Sequence, residues 1–254
     1  MATTNLFDYM VFPTQQSREK AKKQYFDTQK LFLNIQPYLT LNNLSENITV
    51  NDIFIDSVFE VINNDLREKI RRYNNDIIYL TLSLMKMWNY YDLLKKTSGE
   101  EKEINEILFR REARCVCCEI FMYEEKIKNL TRQIFNLKSD KTRHLNDLIN
   151  EMKKIKDTTD YIKSYCEIGK QYLNYSYVKF VKKIRNDEIH NNSRLDEYSD
   201  TIKLADGSIA TCSAFYAISN YELYNNIRQT LEAQLVLKES LQNILNNHRI
   251  EAEF

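Results

Sequence analysis

Glycine and proline are nearly missing from this chain: 3 Gly and 2 Pro among 254 residues. Tight turns between strands need both residue types, one for positive φ and the other for a fixed φ, so their scarcity argues against a β-rich fold. Long apolar runs are missing as well. A membrane-spanning helix needs about 18 or more consecutive apolar residues, and the best candidate, 77–88, is interrupted by Thr81, Ser83 and Lys86. Net charge is absent, with 36 basic residues against 36 acidic. A duplex-DNA binder carries a basic excess, so double-stranded DNA is not expected as a partner, and any nucleic-acid contact must be local. The opening Met1-Ala2-Thr3-Thr4-Asn5 has no basic segment leading into an apolar one, so no export signal is expected. On that reading the chain is cytoplasmic and its five Cys are reduced thiols. Nor is there a Gly-rich phosphate loop, an HExxH or a GxSxG, which sets aside NTPases, zincins and α/β hydrolases.

The composition instead suits long helices. Hydrophobic residues make up 43% of the chain, enough for a substantial core. The expected architecture is all-α: one helical domain over 1–254, an elongated bundle of long antiparallel helices. Residues 1–13 read as an irregular arm ending at Pro13. Ala21, Tyr25, Phe26, Leu31 and Phe32 recur at helical spacing, which predicts a helix over 15–34 that stops before Pro37. Residues 38–49 read as a polar loop. From 50 to 96 the helical pattern is almost continuous, with the Asn63-Asn64 and Asn74-Asn75 pairs as candidate breaks. Ser98-Gly99 followed by Glu100-Glu101 marks a stop and a restart. The next helices are predicted over 101–137 and 141–156, the second capped by Ser139 or Asp140. A motif-bearing helix follows over about 161–190. Asp206-Gly207, between the β-compatible Thr201-Ile202-Lys203-Leu204 and Ile209-Ala210-Thr211-Cys212, predicts a small β-hairpin insertion near 201–212. A last helix is expected over 214–247, capped by Ser213.

The most specific chemical signal is Arg185-Asn186-Asp187-Glu188-Ile189-His190. Arginine offers a planar fork of donors to phosphate oxygens. Histidine titrates near neutrality and can carry a proton. On a continuous helix, however, residues five apart point about 140° away from each other. Arg185 and His190 therefore converge only if the helix ends between them, as Asn191-Asn192-Ser193 suggests, or if a second copy of the chain supplies the missing group.

The run Tyr177-Val178-Lys179-Phe180-Val181-Lys182-Lys183-Ile184-Arg185-Asn186-Asp187-Glu188-Ile189-His190-Asn191 resembles the signature of the HEPN superfamily: Arg, a polar residue, a few residues of any kind, then His. The matching positions are Arg185, Asn186 and His190. The resemblance covers about a third of the chain, namely this helix and the long one after it. It implies an all-α, metal-independent ribonuclease, often a toxin or phage-defence effector, working as a homodimer with two motifs facing one cleft. Single-stranded RNA is the implied partner, and no cofactor is implied. The implied chemistry is attack of a ribose 2′-hydroxyl on the adjacent phosphate, leaving a 2′,3′-cyclic phosphate and a 5′-hydroxyl. Members of the superfamily that lack activity serve as interaction or scaffold modules, which is the alternative expectation for this chain.

Other constellations are weighed beside it. Lys179, Lys182 and Lys183 lie one to two turns upstream and offer a basic strip for an RNA backbone. Asp187 and Glu188 either raise the pKa of His190 or repel RNA. Cys115-Val116-Cys117-Cys118 lacks the second pair a zinc site needs, so no metal is expected and the cluster reads as small buried residues in a helix interface. Tyr165, Tyr172 and Tyr175 form a stripe that reads as core more readily than as a platform for bases. Trp88, Tyr90 and Tyr91 are assigned to packing.

Overall fold

The computed structural model describes residues 8–11, 16, 18–20, 64–155, 159–190, 195, 197–198, 201–203, 206–211, 215–216 and 218–247. The helix expected over 15–34 lies outside them except for Gln16 and Arg18, Glu19 and Lys20, whose backbone is helical. The polar loop at 38–49 and the start of the pattern at 50–63 also lie outside them.

Helix dominates. Its elements are α1 (Asn64–Leu94), α2 (Gly99–Ile134), a 3-10 turn (Ser139–Lys141), α3 (Leu145–Met152), α4 (Asp160–Asn174), α5 (Ser176–His190) and α6 (Asn220–Asn247). Between α5 and α6 lie short antiparallel pairings. In one, β1 (Glu197–Tyr198) meets β4 (Phe215–Tyr216). In the other, β2 (Thr201–Lys203) meets β3 (Ile209–Thr211), with Ile202 opposite Ala210. Gly207 has φ 85°, a turn conformation that L side chains rarely adopt. The turn is tied by Asp206, whose carboxylate accepts from the Ser208 hydroxyl at 2.5 Å and the Ser208 N–H at 2.9 Å. These bonds, the hydroxyl first, hold the Asp206 carboxyl below its ordinary range. Among the described residues no helix is long and apolar enough to cross a membrane.

Several boundaries differ from expectation, each for a local reason. Asn74-Asn75 does not break α1, because the Asn74 side chain is spent on Val11: Oδ1 accepts the Val11 N–H and Nδ2 donates to the Val11 carbonyl. The Tyr73 hydroxyl donates to the Tyr9 carbonyl at 2.7 Å. Tyr9, Met10 and Val11 are accordingly buried. The stop at Ser98-Gly99 holds: α1 ends at Leu94, and Gly99 opens α2 with φ 60°. The helix predicted over 141–156 is shorter and starts later. Its N-cap is His144, whose N–H donates to the Asp147 carboxylate at 3.1 Å. The motif-bearing helix is two helices, with Tyr175 between them accepting from Lys179 N–H as the first residue of a new turn. The last helix begins at Asn220, not 214. Ser219 caps it by accepting the Glu222 N–H at 3.1 Å, and Ser219-x-x-Glu222 is the capping-box pattern. Phe215-Tyr216, aromatic and β-compatible, are taken by the pairing with β1.

The chain divides into two compact units: one of Met1–Ile78, Glu125–Gly169 and Leu235–Phe254, the other of Tyr79–Glu124 and Lys170–Gln234. In the first, Ile70, Ile77, Ile127, Leu148, Ile149 and Leu241 are buried at helical spacings. Gly169 lets α4 approach α3 closely, since a Cβ there would stand 2.7 Å from Ile149 Cδ1. Tyr165 spends its hydroxyl on Thr131 at 2.9 Å. In the second unit, Leu84, Met87, Phe109, Val116, Ile120, Val181 and Ile227 are buried. Tyr91 stacks on Tyr224 with centroids 4.1 Å apart and planes 3° apart. Gln234 donates to the Ile120 carbonyl at 2.7 Å.

Candidate functional site

Helix α5 lies wholly in the second unit. Val178, Val181 and Ile184 are its buried positions, spaced by three, so they form one apolar stripe. Lys179, Lys182, Lys183 and Asn186 are exposed, and Arg185 is half-buried. Lys179, Lys183, Asn186 and His190 follow one another at steps of four, three and four, which puts these four positions on one helical face.

The helix does not end between Arg185 and His190; its backbone is helical through His190. Within one chain the two positions therefore stand about 140° apart around the axis, and the bend expected from Asn191-Asn192-Ser193 is not the route to convergence. Those three residues, with the side chains of Glu188 and His190, lie outside the described residues. The Arg185 guanidinium is nevertheless drawn toward the His190 face. Its Nη1 donates to Asn186 Oδ1 at 3.0 Å, and positions 186 and 190 are separated by only about 40° of helical rotation. Asn186 thus carries the arginine head to the edge of the polar face.

Of the lysines, Lys182 sits over the Phe121 ring at 5.7 Å from its centroid, a cation–π contact that ties it to α2. Lys179 and Lys183 extend the exposed face. Tyr172 and Tyr165 of the tyrosine stripe belong to the cores. The Tyr172 hydroxyl donates to Glu124 at 3.0 Å, and burial, with the Glu124 charge, pushes its phenol well up. Tyr175 is different: it is partly exposed and stacks on Tyr177 at 4.9 Å between centroids. The cysteine cluster splits. Cys117 is buried, Cys118 is half-buried and Cys115 is exposed, so the expected burial holds for Cys117 and fails for Cys115. Partial burial and the nearby Glu112 and Glu119 raise the Cys115 thiol. Among the described residues there is no group of three or more His, Cys, Asp or Glu side chains able to hold a metal.

Arg110 carries no signal in motif or periodicity. Spaced four from Glu106, it reads as half of a surface helix pair. It is in fact buried, donating to the Leu195 carbonyl at 3.4 Å and the Ile218 carbonyl at 2.7 Å. Glu106 faces Arg110 Nε at 3.5 Å and also accepts from Asn220 Nδ2 at 2.6 Å. Arg110 therefore clasps both ends of the segment that joins the motif helix to α6. No periodicity reveals a buried charge whose partners are distant backbone carbonyls.

No protein-family model, curated protein or solved structure matches this chain.

Proposed function

We propose that this chain is a metal-independent endoribonuclease of HEPN type that works as a homodimer on single-stranded RNA. The observation that carries the reading is the hydrogen bond from Arg185 to Asn186, which brings a guanidinium to the helical face shared by positions 186 and 190. Two copies of that face set against each other bring four such groups, two Arg and two His, around one cleft. In the reaction a 2′-hydroxyl gives up its proton and its oxygen bonds to phosphorus. The bond from phosphorus to the 5′-oxygen breaks, and that oxygen takes a proton. His190 moves the proton. Arg185 holds the charge that grows on the phosphoryl oxygens. Asn186 keeps Arg185 aimed, and Lys179 and Lys183 hold flanking phosphates.

The test is cleavage of single-stranded RNA in the presence of EDTA, with end-group analysis of the products. The parent yields 2′,3′-cyclic phosphate and 5′-hydroxyl ends. Arg185→Ala and His190→Ala each abolish cleavage while leaving helicity by circular dichroism unchanged. Cleavage by both variants at the parent rate refutes the site.

A second reading, a non-catalytic interaction module, is favoured by the unbroken helix through His190. The steps of four, three and four along its polar face also suit a seam against a partner helix. On that reading the protein dimerises, and RNA survives intact at every protein concentration.

A further inference from the structure

The charges of this chain balance over its length, yet one cleft gathers cations. It lies between α1 and the C-terminal part of α2, entirely within the first unit, and has a volume of about 460 Å³. Lys69, Arg72, Lys126 and Arg132 line it, with Asp76 as the one carboxylate among the described residues of its wall. Asp76 pairs with Lys126. Glu68, beside the cleft, serves both Arg71 and Arg72. Even with that flanking group included, cations outnumber carboxylates among the described residues. Asn129 and Asn136 add neutral amide donors.

Arg132 is the most informative member. One terminal nitrogen donates to the Thr142 carbonyl at 2.9 Å. Its Nε is buried with no hydrogen-bond partner among the described residues. Neither nitrogen is open to a ligand, so the second terminal nitrogen is the donor that Arg132 can offer the cleft. Three carbonyls near the C-terminus of α2 are engaged, which weakens the repulsion of an anion there. Thr131, Arg132 and Gln133 accept from the N–H groups of Phe135, Leu137 and Asn136. Asn136, at φ 47°, supplies the left-handed cap that makes this possible.

We propose that this cleft binds a small phosphate-bearing ligand of nucleotide size. Its volume falls in the range of roughly 300–1,000 Å³ found for small-molecule sites. Arg72, which donates to Glu68 through Nε, and Arg132, which donates to Thr142, offer their remaining terminal nitrogens to phosphate oxygens, and Lys69 and Lys126 add charge. Leu130 and Leu137 line the same cleft and give the non-phosphate part of a ligand an apolar surface. A concave site suits a compact ligand, whereas a nucleic-acid strand needs an open track with stacking platforms. The inference does not depend on the α5 motif.

The test is isothermal titration calorimetry on the full chain, with pyrophosphate, AMP, adenosine and a short single-stranded RNA as probes at one salt concentration. Pyrophosphate and AMP bind, and adenosine does not. Replacing Lys69 and Arg72 together by Gln weakens both anions by about tenfold or more. Arg72 is 72% exposed at its side chain, so the fold tolerates that change. Asp76→Asn removes a carboxylate from the wall and tightens both. Arg228→Gln, on the second unit, changes neither. No binding of either anion, equal binding of adenosine, or unchanged affinity in the double variant overturns the proposal. RNA binding more tightly than AMP through Lys69 and Arg72 also overturns it, in favour of a nucleic-acid surface.

Discussion

Asn74 serves Val11 as a neighbouring strand would, its Oδ1 accepting the Val11 N–H at 3.1 Å and its Nδ2 donating to the Val11 carbonyl at 3.2 Å. Both residues are buried, so neither backbone group has water to fall back on. The pair joins points 63 residues apart in sequence and fixes Val11 to α1. Asn74→Ala strands a buried donor and a buried acceptor, and the expected loss is roughly 2–4 kcal/mol in urea unfolding. A loss below half a kilocalorie would mean that Val11 is not held this way.

Gly169 tests the packing of the first unit. Alanine normally strengthens a helix over glycine, but here its methyl would stand 2.7 Å from Ile149 Cδ1 and 3.8 Å from Leu237 Cδ1. Ile149 is fully buried and has little room to yield. Gly169→Ala is therefore expected to destabilise by about 1–3 kcal/mol. Ile149→Val, which deletes the offending methyl, recovers much of that loss in the double variant. Additive losses would show that the close approach is not the cause.

The helical skeleton was legible because glycine and proline are scarce and because apolar residues recur at three and four. Ser98-Gly99 was readable for a stereochemical reason: few residues other than glycine adopt φ 60°. What misled was polarity without context. Asn74 looked like a helix breaker because its partner lies at position 11, outside any local window. Phe215 and Ile218 fit the period of the final helix and so extend it falsely to 214, although Ser219-x-x-Glu222 holds the correct cap. At the candidate site, Arg185, Asn186 and His190 were found by residue type and spacing. That Asn186 draws the guanidinium to the shared face was not, because side-chain hydrogen bonds leave no period in a sequence.

Arg110 is expected to hold the segment after the motif helix. Its guanidinium meets the carbonyls of Leu195 and Ile218, and truncation leaves both without that donor and Glu106 without its cation. Arg110→Ala is predicted to cost about 3 kcal/mol. It should also speed hydrogen exchange at the amides pairing Thr201–Lys203 with Ile209–Thr211. Unchanged exchange there would limit Arg110 to packing within α2.

Glu68 supplies a pH signature. Hydrogen bonds from Arg71 first, then Arg72, lower its carboxyl from 4.5 to about 2. A depressed folded pKa means that the folded state binds fewer protons than the unfolded one through this range. Its contribution is therefore present above pH 4.5 and is lost as pH falls toward 2. Carbon-detected NMR titration of the Glu68 carboxyl should give a midpoint near 2, and Arg71→Gln should move it upward. A midpoint at the ordinary glutamate value in the parent would show that the fork is not formed.

Mixing two variants tests most directly the proposed sharing of polar faces between two copies of α5. Arg185→Ala and His190→Ala proteins, inactive alone, are unfolded together, refolded together and assayed for RNA cleavage in EDTA. A shared cleft predicts that activity returns, because mixed dimers unite the intact Arg185 of one protomer with the intact His190 of its partner. A mixture as inactive as either variant alone, beside a parent that cleaves, would contradict the shared cleft.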